Sequence, residues 1–255
     1  MSVGFFFVIA NPENPVIQED AQWPVRMTYA RLAVALLRSM VANLEGLSCP
    51  IIIGTDGADK DVRKMLSPEY PNLRWHKIDV EKYEKAGKRD PRYFLLDAFS
   101  PVHDLDKIIV LGTDMICLST TDQLIYRSHG PIAAWMEPGR GQYNTGSMVI
   151  ERSLCMQEIY EALLAHDAGN EFGHDQAVVN SYFRGKIAAL PAVIQAMGNG
   201  QSDPEADAKR GMIWLHVCHK YFSRRDFWRR NSDATIRLVE KYLGEYSLNL
   251  LGGNG

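Results

Sequence analysis

The chain alternates between short, unbroken apolar runs and longer stretches in which apolar residues recur every three to four positions. Phe5–Ala10 is a run of the first kind and reads as a buried strand, followed by a polar, Pro-containing loop from Asn11 to Pro24. From Val25 to Leu44 the period is helical, with Tyr29, Leu32, Ala33, Leu36, Leu37, Met40 and Val41 on one face. The alternation continues through a strand at Pro50–Gly54, a short helix from Asp59 to Leu66 and a strand at Leu73–Ile78. Val80 to Arg92 is rich in charge and reads as a mobile surface loop, either one that closes over a ligand or a solvated linker. A short helix from Tyr93 to Phe99 leads to an apolar β-branched strand, Ile108–Leu111, ended by Gly112-Thr113-Asp114. Beyond it come a helical turn at Asp122-Gln123-Leu124, strands at Ile132–Trp135 and Ser147–Ile150, and helices at Ser153–His166 and Asp175–Phe183. A short strand begins at Ile213, and a last helix spans Ala234–Tyr246 in a C-terminal third expected to wrap the sheet. Strand–helix alternation of this kind predicts an α/β protein with a mostly parallel sheet.

Composition narrows the class. The 255 residues are long enough for a large core, and the absence of repeats or a composition break favours one domain. With 46% hydrophobic and 23% charged residues, this is the composition of a globular protein. A formal net charge of −3 argues against a nucleic-acid partner. No apolar run suits a transmembrane segment, and the opening run is too short and lacks the basic lead of a signal peptide. Cys49, Cys117, Cys155 and Cys218 are scattered as reduced, buried thiols would be. The expected location is cytoplasmic.

Four segments carry candidate chemistry, each with a plainer structural reading. Asp114, at the carboxyl end of a buried strand, can bind Mg²⁺ or Mn²⁺ or merely cap a turn. In Tyr143-Asn144-Thr145-Gly146, placed just before a strand, Gly146 allows close backbone approach and Asn144 can bond sugar hydroxyls; a simple turn is the alternative. Asp175 opens a helix and is either its first-turn acid or a carboxylate aimed at a developing oxocarbenium charge, with Gln176 beside it to bind a hydroxyl. Leu215-His216-Val217-Cys218-His219-Lys220 offers a borderline nitrogen ligand in His216 and a phosphate partner in Lys220; a core histidine is the alternative, and a zinc set would be incomplete. The basic and aromatic cluster Arg224–Arg230 reads as a solvated helix start or a contact for an anion.

Taken in order, these segments resemble the family 8 glycosyltransferases, the glycogenin and bacterial galactosyltransferase group. Asp106–Asp114 is similar to that family's strand and Asp-x-Asp motif, and Tyr143–Ile150 to its Phe-Asn-(Ser/Thr/Ala)-Gly-x-(Met/Leu) segment. Asp175–Asn180 resembles its Asp-Gln-x-x-x-Asn helix, and Leu215-His216 its final metal-binding histidine. The likeness runs from Phe5 to about His219. It implies a GT-A fold and retaining transfer of glucose, galactose or N-acetylglucosamine from a UDP-sugar to an unidentified hydroxyl acceptor. It further implies Asp114 and His216 as ligands of Mn²⁺, with Mg²⁺ as the alternative. Nucleotide contacts would fall at Ala10 and Asn11, with Thr113 in the motif, and sugar contacts at Asn144 and Gly146. Arg92 is the candidate for an upstream arginine, and Asp175 and Gln176 would lie beside the anomeric carbon and the acceptor.

Two departures stand out. The first acid of Asp-x-Asp is Gly112 here, and Cys218-His219-Lys220-Tyr221 replaces the family's Gly-x-x-Lys-Pro-Trp, leaving Lys220 as a closer-spaced phosphate lysine. The rival expectation is therefore a catalytically weak GT-A domain that binds nucleotide or glycan. A nucleotidyltransferase would need a Gly-rich basic loop after the first strand, and Asn11-Pro12-Glu13-Asn14 is not one. The oligomeric state, homodimer included, stays open.

Overall fold

The computed structural model describes residues 2–10, 25–44, 47–57, 60–119, 129–169, 174–197, 202–217 and 231–246. Its centre is a seven-stranded sheet in the order β3-β2-β1-β4-β7-β6-β8. The strands are β1 (Val3–Val8), β2 (Ile51–Thr55), β3 (Leu73–Lys77), β4 (Lys107–Leu111), β6 (Ile132–Met136), β7 (Tyr143–Glu151) and β8 (Ala188–Ala189). Each neighbouring pair is parallel except β4–β7 and β6–β7, so β7 alone is reversed between β4 and β6. A three-stranded sheet, β5-β10-β9, uses β5 (Met115–Cys117), β9 (Gln195–Met197) and β10 (Trp214–His216).

The central strands are apolar on both faces because helices cover both. Phe5, Phe7, Ile51, Ile53, Ile109 and Val149 pack with Ala33, Val34, Leu36, Leu37 and Met40 of α1 (Val25–Asn43). The alternate residues Phe6, Ile52, Ile108, Val110, Met148 and Ile150 face the other way. There they meet Phe94, Leu96 and Phe99 of a 3₁₀ segment (Pro91–Phe99) and Leu163, Val178 and Val179 of α4 (Gln157–Ala165) and α5 (His174–Tyr182). Each fully buried phenylalanine contributes roughly 1.5–3 kcal/mol of apolar transfer. A third cluster joins Ile116, Leu215 and Val217 to Ile236, Val239 and Leu243 of the last helix, α7 (Asp233–Leu243). The remaining helices are short: α2 (Lys60–Leu66), α3 (Val80–Lys85) and α6 (Pro204–Lys209).

The expected surface loop at Val80–Arg92 is instead a built piece of structure. Its first half is α3, whose Tyr83 is fully buried and donates its hydroxyl to Asp97 Oδ1 at 2.7 Å. Asp97 is itself buried and also accepts from Tyr160 and from His76 Nε2. Further along, the buried Lys88 donates from Nζ to the carbonyls of Leu164 (2.6 Å) and His166 (3.0 Å), at the end of α4. A lysine ammonium there satisfies carbonyls that the helix leaves over and complements its dipole. The charge run thus hides two anchors. Two expected boundaries also move: the first strand ends at Val8, and Asn144-Thr145-Gly146 lies inside β7 because its ladder with β6 begins at Tyr143. The Asp122–Leu124 turn lies outside the described residues.

Arg38 ties the last helix to α1. Its guanidinium donates to Glu69 Oε2 (2.7 Å), to Glu245 Oε1 (2.7 Å) and to the carbonyls of Tyr242 (3.1 Å) and Leu243 (2.9 Å). Arg38→Ala is expected to cost about 2–3 kcal/mol in urea unfolding, since several charge-assisted bonds go at once. Arg74→Ala removes one exposed pair with Asp104 and should cost under about 1 kcal/mol. Equal losses in the two variants would show that the Arg38 clamp adds nothing beyond a surface pair.

Candidate active site

Three chain segments meet at one edge of the large sheet. β4 and β6 run in the same direction and end there, at Leu111 and Met136, while the reversed β7 begins there. Open α/β sheets bind ligands beyond such carboxyl ends. Thr113 and Asp114 follow β4, Glu137 follows β6, and Asn144, Thr145 and Gly146 open β7. Ala10 follows β1 at the same edge and is buried.

Asp114 and His216 are brought together by the small sheet. β5, immediately after Asp114, pairs antiparallel with β10, setting Met115 opposite His216, and Val217 N–H donates to the Asp114 carbonyl at 2.8 Å. His216 Nε2 then donates to Asp114 Oδ2 at 2.8 Å. Burial works against charge on this imidazole, but the charges of Asp114 and Glu137 outweigh it and raise its pKa. Gln195 Nε2 lies 3.3 Å from the other ring nitrogen, Nδ1. The same Asp114 carboxylate, after burial itself, raises the pKa of Tyr29, on the first turns of α1.

Gly112 and Gly146 explain why the edge is so closely built. Gly112 N–H donates to the Gly146 carbonyl at 2.9 Å. A Cβ on Gly146 would lie 3.2 Å from the Gly112 nitrogen, so the two backbones pack without room for a side chain to spare. A Cβ on Gly112 would stand 2.5 Å from Asp114 Oδ1. The Asp114 carboxylate therefore occupies the space that a side chain at position 112 would claim.

Asn144 is held on both ends of its amide, each bond using one of the directions that end offers. Its Nδ2 donates to Glu137 Oε1 at 2.7 Å, and its Oδ1 accepts from Gly146 N–H at 2.8 Å. The acid it holds, Glu137, was not singled out from the sequence, although it follows a short apolar strand as Asp114 does. That shared position was the available signal.

On the opposite face of β7, Thr145 Oγ1 donates to Asp175 Oδ2 at 2.5 Å. Asp175 opens α5 and its carboxylate also accepts backbone N–H groups of its own turn, so it serves as a first-turn acid while facing β7. Burial pushes its pKa up to about 6, against the opposing pull of Thr145, those amides and the Arg92 charge. Gln176 is half-buried beside it, and its carbonyl accepts from Asn180 Nδ2. Asn180 in turn brackets Tyr143, accepting from its N–H and donating to its carbonyl, each at 2.8 Å.

Arg92 and Asp90 form a two-bond pair, 2.9 and 2.6 Å, that raises the arginine's pKa; against its burial, Asp90 is held below the ordinary carboxylate range. His174, with φ of 32°, lies 3.8 Å from Asp90 and edge-on to Tyr93. Asp90 and Tyr29 are further members of this surface that sequence reading passed over. Asn11, Lys220, Cys218 and the Arg224–Arg230 cluster lie outside the described residues.

No protein-family model matches this sequence, and no curated protein matches it significantly. Solved structures do match it. Galactosyltransferase LgtC in complex with donor and acceptor sugar analogues aligns at a TM-score of 0.55 and 14% identity, covering 86% of this chain and 87% of that one. The glycosyltransferase GlyE of Streptococcus pneumoniae TIGR4, in its apo form, aligns at 0.63 and 16% identity, over 95% of this chain but 59% of that one. Mouse xyloside xylosyltransferase 1 aligns at 0.55 and 12% identity, covering 86% and 98%. The fold is that of the GT-A glycosyltransferases. Among the described residues no helix is long and apolar enough to cross a membrane.

A carboxyl whose pKa rises on folding binds its proton more tightly in the folded state. The contribution of Asp175 is therefore favourable below the unfolded value near 4 and is lost as pH rises through about 6. Asp175→Asn should accordingly gain stability relative to the parent chain between pH 4.5 and pH 7.5, measured by urea unfolding. A difference that stays constant across that range would refute the assignment.

Proposed function

We propose that this protein is a retaining hexosyltransferase that moves glucose, galactose or N-acetylglucosamine from a UDP-sugar to a hydroxyl acceptor. The observation that carries the reading is the Asp114–His216 pair at the carboxyl edge of a GT-A fold. A carboxylate oxygen and an imidazole nitrogen are a donor set that suits Mn²⁺, with Mg²⁺ second. Among the described residues no group of three His, Cys, Asp or Glu gathers as a cation site. The two protein ligands would thus be Asp114 and His216, with substrate oxygens and water supplying the rest. The charge balance agrees: Asp90, Asp114, Glu137 and Asp175 line the edge, with Arg92 and Arg140 as fixed cations among the described residues. A bound divalent cation would add positive charge there and would stabilise the departing nucleoside diphosphate.

The chain's own residues then position and polarise. Asp175, anchored by Thr145 and the first turn of α5, offers negative charge to an anomeric carbon turning positive, and Arg92 steadies that charge. Gln176, next to it, offers an amide to the acceptor hydroxyl. The Gly112–Gly146 approach fixes where β4 ends beside β7, and so where Asp114 stands, while Ala10 and Thr113 bound the nucleotide side. Holding donor and acceptor on one face accounts for retention without a strong base.

Gly112 favours a second reading, a domain that binds a nucleotide or glycan with weak turnover or none. One titration addresses both. UDP with Mn²⁺ should bind in the micromolar range by calorimetry, and chelation of Mn²⁺ or Asp114→Ala should each weaken binding at least about tenfold. Absence of UDP binding in all conditions would sink the donor site. Metal-dependent binding with no transfer or hydrolysis of any UDP-sugar would select the binding module.

A further inference from the structure

Within this donor-site reading, we infer that Glu137 is a specificity-determining residue that accepts a hydroxyl of the donor's hexose. Its position is fixed on both sides. It follows β6 at the edge where Asp114 follows β4, and its backbone closes the β6–β7 turn by donating N–H to the Gln142 carbonyl at 2.8 Å. Gly139 (φ 77°) and Gly141 (φ 63°) let the chain reverse within that turn. The Glu137 side chain is 13% exposed yet carries charge. Asn144 Nδ2 donates to Oε1 at 2.7 Å and Arg140 NH1 lies 3.2 Å from Oε2. Asn144 cannot turn away, because its oxygen holds Gly146 N–H.

The chemistry of the carboxylate decides what it can bind. An ionised carboxylate accepts through about four lone-pair directions and donates nothing. Asn144 and Arg140 account for two of them. The others take a hydrogen-bond donor or a cation, which excludes a bare phosphate oxygen and fits a sugar hydroxyl. Glu137 and Asp114 follow strands that flank β7 on either side, so both carboxylates stand at the same end of the sheet. Asn144, which the sequence reading gives as a sugar contact, also orients Glu137. Position 112 supplies no acid, and Glu137 approaches from the neighbouring strand end.

The test compares ligands with and without the hexose. Calorimetric affinities for UDP, UDP-glucose and UDP-galactose, all with Mn²⁺, are measured on the parent chain, Glu137→Gln and Glu137→Asp, each checked by circular dichroism for an unchanged fold. Glu137→Gln keeps an oxygen for Asn144 but loses the charge, and it should bind the preferred UDP-hexose about tenfold more weakly with UDP affinity unchanged. Glu137→Asp, shorter but charged, should fall between. Donors lacking one hexose hydroxyl should lose affinity for the parent chain, and at one position that loss should vanish in Glu137→Gln. Equal weakening of UDP and UDP-hexose would overturn the inference, since the contact would then lie on the nucleotide or the cation. Unchanged affinity for every ligand would overturn it too. A parent chain that binds no UDP refutes the donor site itself, a result distinct from either.

Discussion

The candidate site depends on the reversal of one strand. β7 runs against β4 and β6 and lies between them, so its first residues emerge where its neighbours end. Were it parallel, Asn144, Thr145 and Gly146 would lie at the far edge of the sheet, and Asp114 and Glu137 would have no residues between them. Because side chains alternate along a strand, adjacent residues of β7 serve opposite faces. Asn144 holds Glu137, while Thr145 reaches Asp175 at the start of α5. Gly146 then admits the backbone of Gly112. One nine-residue strand therefore assembles groups from three other elements.

The loss of an acid at position 112 looks different once the packing is seen. The space is not vacant: Asp114 Oδ1 fills it, while the other oxygen engages His216. The edge has become a two-donor arrangement in which imidazole and carboxylate stabilise each other, with Glu137 adding negative potential from the side. The anchored 80–92 segment supplies the opposing wall. Lys88 pins it to the end of α4 and Asp97 gathers Tyr83, Tyr160 and His76, so Asp90 and Arg92 are presented on a rigid base.

Much of the frame was legible because local patterns were strong. Phe5–Phe7, Ile51–Ile53 and Ile108–Val110 are unbroken apolar runs, and each is a strand buried on two faces. The α1 stripe likewise follows its helical period. What failed depended on distant partners. Lys82, Lys85 and Lys88 look alike in a charge run, but only the α4 carbonyls, 76 residues and more away, distinguish Lys88. Likewise, nothing near Asn144 in sequence announces its bonds to Glu137 and Gly146, each of which uses one direction of its amide. The pairing of Asp114 with His216 was suggested by resemblance, not by spacing, since it arises from a β5–β10 ladder that no local pattern announces.

That ladder brings Asp114 and His216 together, 102 positions apart in the chain. A ribosome adds about 5–20 residues per second, so roughly 5–20 s separate the synthesis of Asp114 from that of His216. All seven strands of the large sheet, the last of them β8, are in hand before β10 emerges, and its core can begin to form early. The pair at its edge cannot. A nascent chain with a folded centre is thus still silent toward any ligand that needs both groups, and acquires that capacity only when the small sheet closes. The edge of the large sheet is therefore completed last, by the strand that lies furthest along the chain from it.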